Sequence, residues 1–215
     1  MFELSSKEQA IFKKLRTPHS IQDFLDTIPQ NHYASLCDTC YSPRMVLRKK
    51  KALCIEGAFL AATALWYHGQ RPLLLDLKAS NSDMDHVVAL YQKNGYWGAI
   101  SKTNHPVLRF RDPIYRTIRE LALSYFHEYF LFTNGKKTLR SYSRPFSLKK
   151  FGVAWITAEE DLWDIAQALD ESPHFKIIPQ ENKKYIRHAS PIERKAGKMT
   201  EWNVRKGRRA SREID

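Results

Sequence analysis

Cys54, His86 and the polar residues Ser101, Asn104 and Asp112 are the side chains of this sequence whose types and order could do nucleophilic chemistry. A thiol attacks a carbonyl carbon as its thiolate, a histidine takes the proton, and a third group holds the imidazole in one orientation. Cys54 heads an apolar run in which Ile55, Ala58, Phe59, Ala62, Leu65 and Trp66 recur at three- and four-residue spacing. Gly69 stands where a C-terminal cap belongs, so the pattern predicts a buried helix over 54–68. At a helix start, unpaired N–H groups and the positive end of the dipole favour the thiolate, whereas Glu56 opposes it. Alternatively, the thiol packs as a small hydrophobe.

His86 opens the run His86-Val87-Val88-Ala89-Leu90-Tyr91 and shares a face with Val88 and Leu90. Alone, such a histidine is a hydrogen-bonded structural residue; with a nucleophilic cysteine elsewhere it becomes a candidate base. Lys93-Asn94-Gly95 signals a hairpin. A two-residue turn at Asn94-Gly95 sets Lys93 opposite Tyr96, Val88 opposite Ser101 and His86 opposite Thr103, which puts Ser101 diagonally across from His86 on its own face. A three-residue loop would turn Ser101 to the other face.

The elements that must position these groups follow from periodicity and capping. Short helices are expected over 8–15 and 20–26, the second ended by Ile28-Pro29, and another is opened by Ser42-Pro43. Strands are expected over 72–77, 86–92 and 96–101, with a further one over 175–178. Pro113 is expected to open a long helix bearing Ile114, Ile118, Leu121, Ala122, Tyr125 and Phe126. Thr157-Ala158-Glu159-Glu160 reads as a capping box before Leu162, Ile165 and Leu169. Helix followed by sheet, without βαβ alternation, indicates an α+β fold. The expected organisation is a helical entry segment over 1–41, an α+β core over 42–180 and a basic, flexible tail over 181–215.

Cys54-Ile55-Glu56-Gly57-Ala58-Phe59-Leu60-Ala61-Ala62 with His68-Gly69, then Asp85-His86-Val87-Val88-Ala89-Leu90-Tyr91, then Gly95-Tyr96-Trp97-Gly98-Ala99-Ile100, resemble the transglutaminase-like cysteine-enzyme superfamily. The resemblance spans roughly 45–112 and implies a papain-like core, in which a helix bearing the cysteine packs on a small antiparallel sheet. It also implies Cys54 as nucleophile and His86 as base of an amide or peptide-bond hydrolase or acyl transferase working through a thioester on a peptide or protein amide. In that superfamily an aspartate stands four residues after the tryptophan; here the position is Ser101, which can orient an imidazole but cannot neutralise its charge. Asn104, as in papain-like relatives, and Asp112 are the alternatives. The serine also leaves open a noncatalytic binding protein on the same fold, with its tail engaging nucleic acid or another polyanion.

Composition bounds these readings. A chain of 215 residues with 43% hydrophobic content can bury a core without disulfides, and its 3 cysteines cannot all pair. A reducing, cytoplasmic setting is expected, since no secretory signal opens the sequence and no apolar run is long enough to span a bilayer. The absence of a Gly-rich phosphate loop removes the usual support for nucleotide chemistry, and no cofactor is expected. Residues 181–215 hold eleven basic against five acidic side chains, six of the net +12, with the densest cluster at Arg205-Lys206-Gly207-Arg208-Arg209. Charge there could bind polyanions weakly or be merely solvated. Cys37 and Cys40 form a C-x-x-C pair without a second pair at zinc spacing; Cys54 with His68 or His32 would make an irregular set, so two loop thiols are expected. Tyr125, Phe126, Tyr129 and Phe130 are expected to pack rather than stack on bases.

Overall fold

The structure, a computed structural model, describes residues 2–31 and 39–202. Four helices come first: α1 (Ser6–Lys14), α2 (Pro18–Asp26), α3 (Pro43–Lys49) and α4 (Cys54–Tyr67). Ser5, Thr17 and Ser42 cap the first three by accepting a backbone N–H three residues on, and proline supplies the first residue of α2 and α3. α4 is buried continuously from Glu56 to Leu65, as its nearly all-apolar sequence requires, and closes where Gly69 takes a φ of +83°.

An antiparallel sheet follows: β1 (Leu73–Lys78), β2 (His86–Lys93), β3 (Tyr96–Ser101), β4 (Arg111–Tyr115), β5 (Ser141–Ser143), β6 (Phe146–Ser147) and β7 (His174–Lys176). Its order is β4-β3-β2-β1-β5-β7, with β6 pairing the other end of β1. Asn94 and Gly95, at φ 52° and 83°, make the two-residue turn that sets Lys93 opposite Tyr96 and Val88 opposite Ser101, the register their sequence demands. Both faces of the sheet are covered. α4 lies over Leu74, Val87, Ala89, Tyr91 and Ile100 on one face. On the other, Leu75, Leu77, Val88 and Leu90 meet Leu121, Ala122 and Tyr125 of α5 (Ile118–Tyr125). The fold is α+β, with the cysteine-bearing helix packed on a small antiparallel sheet.

Residues 111–115, expected to enter a helix at Pro113, instead form the edge strand β4, where proline forfeits no interior ladder bond. Ile114, expected on the apolar helix face, is 66% exposed; α5 begins only after Thr117, whose hydroxyl accepts from Glu120 N. Likewise α6 (Trp163–Asp170) starts after the expected capping box, because Glu159 turns outward to Arg48 at 2.6 Å. The last strand is His174–Lys176 rather than 175–178.

Beyond residue 181 the chain, expected to be flexible, remains folded to 202. α7 (Pro191–Gly197) opens with Ser190 N bonded to Glu193, Ala189 N bonds Gly135 O, and the Asn104 amide brackets the Trp202 backbone. Apolar periodicity is sparse there because these contacts are polar and reach distant loops. The Arg205–Arg209 cluster lies outside the described residues. Among the described residues no helix is long and apolar enough to cross a membrane.

Candidate active site

Cys54 is the first residue of α4, and a buried carboxylate fixes that helix end. Glu56 Oε2 accepts from Leu53 N at 2.6 Å, while its Oε1 accepts from Tyr41 N at 2.9 Å and Thr39 Oγ1 at 2.6 Å. Glu56 thus ties residues 39–41 to the turn that carries the thiol. Sequence reasoning saw Glu56 only as a charge near Cys54, because the residue at the cap position is Leu53 rather than a serine or threonine; a glutamate at the third helical position was the available signal.

Burial pushes the Cys54 thiol up to about 11; the N–H groups of Val87 and Ile55 pull it down by less, and Asp76 and Glu56 add to the rise. Between the two readings left open by the sequence, burial favours the thiol: the surrounding protein outweighs the helix N–H groups. Its side chain stays partly accessible from the cavity it lines.

His86 Nε2 lies 2.8 Å from Ser101 Oγ, and Ser101 Oγ donates its one proton to Leu108 O at 2.5 Å. Ser101 can then only accept from the ring, so Nε2 carries the imidazole hydrogen and Nδ1 is the basic nitrogen. Burial holds the imidazole down to about 4, against the Leu108 carbonyl and aided by Arg111, which leaves it neutral at pH 7. Gln22 of α2 steadies Ser101 from outside the hairpin: its Oε1 accepts from Ser101 N at 2.9 Å and its Nε2 donates to Ser101 O at 2.8 Å. A glutamine flanked by buried Ile21 and followed by buried Leu25 was the sequence's only hint of this clamp.

Cys54 and His86 line one cavity of about 480 Å³. They reach it from opposite sides of the sheet: α4 covers the face of Val87 and Ala89, whereas His86 shares the face of Val88 and Leu90 and sits at the very start of β2. Of the three candidates for orienting the ring, Ser101 reaches it. Asn104 lines the same cavity but bonds the Trp202 backbone, and Asp112 is exposed, 3.7 Å from His19.

Cys54 also borders a second cavity, of about 650 Å³, with Asp76, Asp85 and Asp170 on its wall. Those three carboxylates lie within 4.8 Å of one another, yet Asp76 bonds His174, Asp170 bonds Lys78 and Asp85 accepts from Ala79 N. The other metal candidates separate. Cys40 is buried with its thiol 3.5 Å from Leu162 O, and His68 bonds Phe12 O at the far end of α4. Cys37 and His32 lie outside the described residues. Tyr125, Tyr129 and Phe130 are buried, as packing residues should be.

Gly57, one turn along α4 from Cys54, faces the stem of Lys102: a Cβ built on it would sit 2.5 Å from Lys102 Cβ. Gly57→Ala should gain about 1 kcal/mol of helix propensity yet lose about 1–3 kcal/mol to overpacking, a net loss of stability that urea unfolding will measure.

A family model described as a transglutaminase-like domain matches residues 8–123, just over half of the 215, and so takes in Cys54, His86 and Ser101. No curated protein matches the chain.

Proposed function

Because the chain belongs to the transglutaminase-like domain family, we propose that it is a cysteine-dependent amide hydrolase or acyl transferase with Cys54 as nucleophile and His86 as base. The observation that carries this reading is the sharing of one cavity by the Cys54 thiol and an imidazole whose Nε2–H is committed to Ser101, leaving Nδ1 to take a proton. The resting pair is neutral on both sides, so proton transfer accompanies attack rather than preceding it. As Sγ bonds the carbonyl carbon, the thiol proton passes to His86 Nδ1. The Cys54 backbone N–H, at the start of α4, stabilises the oxyanion. The C–N bond then breaks, the amine leaves with that proton, and a thioester remains on Cys54. Water, or an amine in the transfer variant, releases the acyl group with His86 again taking the proton; hydrolysis is the simpler course because it needs no second substrate.

The test is to treat the full chain with p-nitrophenyl acetate and locate the acyl group by peptide mass spectrometry. A single hydroxylamine-labile acetyl on Cys54 is expected; an adduct elsewhere, or none, would sink the proposal. A protonated resting thiol also sets the response to iodoacetamide. At neutral pH, Cys54 should alkylate roughly 100-fold more slowly than a thiol titrating at 9, two units below it. The rate should climb about tenfold per pH unit and level off only near 11, as the thiolate fraction saturates. Cys40 should lag behind Cys54, since burial raises its thiol further.

A further inference from the structure

The cavity shared by Cys54 and His86 has charged residues on its wall, and nearly all are committed. Glu128 pairs with Arg111 and accepts from Leu108 N, Asp83 accepts from Thr138 and Met84, and Asp85 accepts from Ala79 N. Two residues of the same lining are not: Lys102 Nζ and Gln30 Oε1 are buried without a hydrogen-bond partner among the described residues. Lys102 is only 1% exposed. The carboxylates of Asp26 and Glu201 act on it from a distance, but both make ion pairs with Arg109, at 3.3 and 3.5 Å. A buried ammonium with no contact partner is unfavourable and calls for an anion.

We propose that Lys102 and Gln30 form a subsite for the carboxyl-terminal residue of a peptide or acylated amino acid, Lys102 taking the free α-carboxylate and Gln30 the adjacent amide N–H. The proposal deepens the reading of Cys54 as nucleophile and rests on it. A cation and an acceptor on one cavity lining, both without a partner among the described residues, match a group that carries a carboxylate next to an N–H donor. The location agrees: Lys102, Gln30 and Cys54 line the same cavity. A carboxylate held there brings the last amide carbonyl of the chain to the thiol. The reaction is then removal of the terminal residue: Sγ bonds the carbonyl carbon, the C–N bond breaks, and the amino acid leaves with the proton relayed by His86. Water then converts the thioester to the shortened acid. Val107 and Phe132 on the cavity wall suit an apolar side chain on the departing residue.

The probes are N-acetylphenylalanine and its carboxamide, titrated into the full-length Cys54→Ala protein by NMR at pH 7, so that binding is read without turnover. The acid should bind at least tenfold more tightly than the amide, and Lys102→Met in the same background should bring the two together. Should Lys102→Met not fold, the preference in the parent protein should vanish as pH rises through the Lys102 titration. Burial places that titration below the usual lysine range, against Asp26 and Glu201 and with Arg109. Equal binding of acid and amide, binding of neither, or a preference that survives both loss of Lys102 and high pH would each overturn the subsite. Failure of acylation at Cys54 with the preference intact would instead count against the catalytic reading alone.

Discussion

Alanine at position 86 is expected to slow acetylation of Cys54 by p-nitrophenyl acetate by about 10²–10⁴-fold, the usual worth of a positioned general base. The magnitude rests on the resting charge state. With the thiol protonated up to about pH 11, no thiolate reservoir exists at pH 7, so the proton must move as the carbon–sulfur bond forms. His86, neutral down to about pH 4 and on the lining of the same cavity, is the base the proposed mechanism assigns to it. Cys54→Ala should abolish the acyl-enzyme altogether. Ser101→Ala should be far milder, roughly fivefold, because a neutral hydrogen bond contributes about 1 kcal/mol. The burst of p-nitrophenolate measures all three, with melting temperatures taken alongside to separate lost chemistry from lost structure. A His86→Ala protein that folds and acylates within twofold of the parent would mean that the imidazole is a core group held by Ser101 and nothing more.

The largest expected effect on stability belongs to Glu56. Its carboxylate is fully buried and accepts three hydrogen bonds, from Leu53 N, Tyr41 N and Thr39 Oγ1. Glu56→Ala leaves those donors buried without acceptors and should cost about 3–5 kcal/mol, as breaking a buried charged network does. For a chain of this size the melting temperature should fall by roughly 10 °C. The damage should also reach chemistry, since residues 39–41 and the first turn of α4 lose their common anchor. Glu56→Gln tests the cause: the amide oxygen can keep the bonds from Tyr41 N and Thr39 Oγ1 while its NH2 faces Leu53 N, so it should recover part but not all of the loss. A change below about 1 kcal/mol would show that water replaces the carboxylate, the outcome ordinary of exposed residues.

Much of the site's local geometry was legible in the residues. Apolar spacing placed Cys54 at the head of a buried helix, and Asn94-Gly95 specified a two-residue turn. Counting back from that turn put Ser101 on the face of His86, where the two now touch. Each step spans at most a dozen or so residues and depends on periodicity or on the φ values a turn requires, which are short-range properties of the chain.

Errors arose where a local signal had two tertiary outcomes. Pro113 suits a helix start and an edge strand equally, and only its place beside β3 decides between them. The Thr157–Glu160 pattern could cap a helix, but Glu159 found Arg48 instead. Sparse apolar residues after 181 suggested a flexible tail, because they said nothing of hydrogen bonds made to loops nearly a hundred positions away.

The sequence by itself determined that a cysteine heads a buried helix and that a histidine and a serine share a strand face. Only the tertiary structure decided that burial favours the protonated thiol, that Gln22 holds Ser101 and Glu56 holds the helix, and that Lys102 is buried without a partner among the described residues. The physical reason is range. Turns and helix faces are set by neighbours along the chain, whereas desolvation and the pairing of a charge depend on every atom that folding gathers around it.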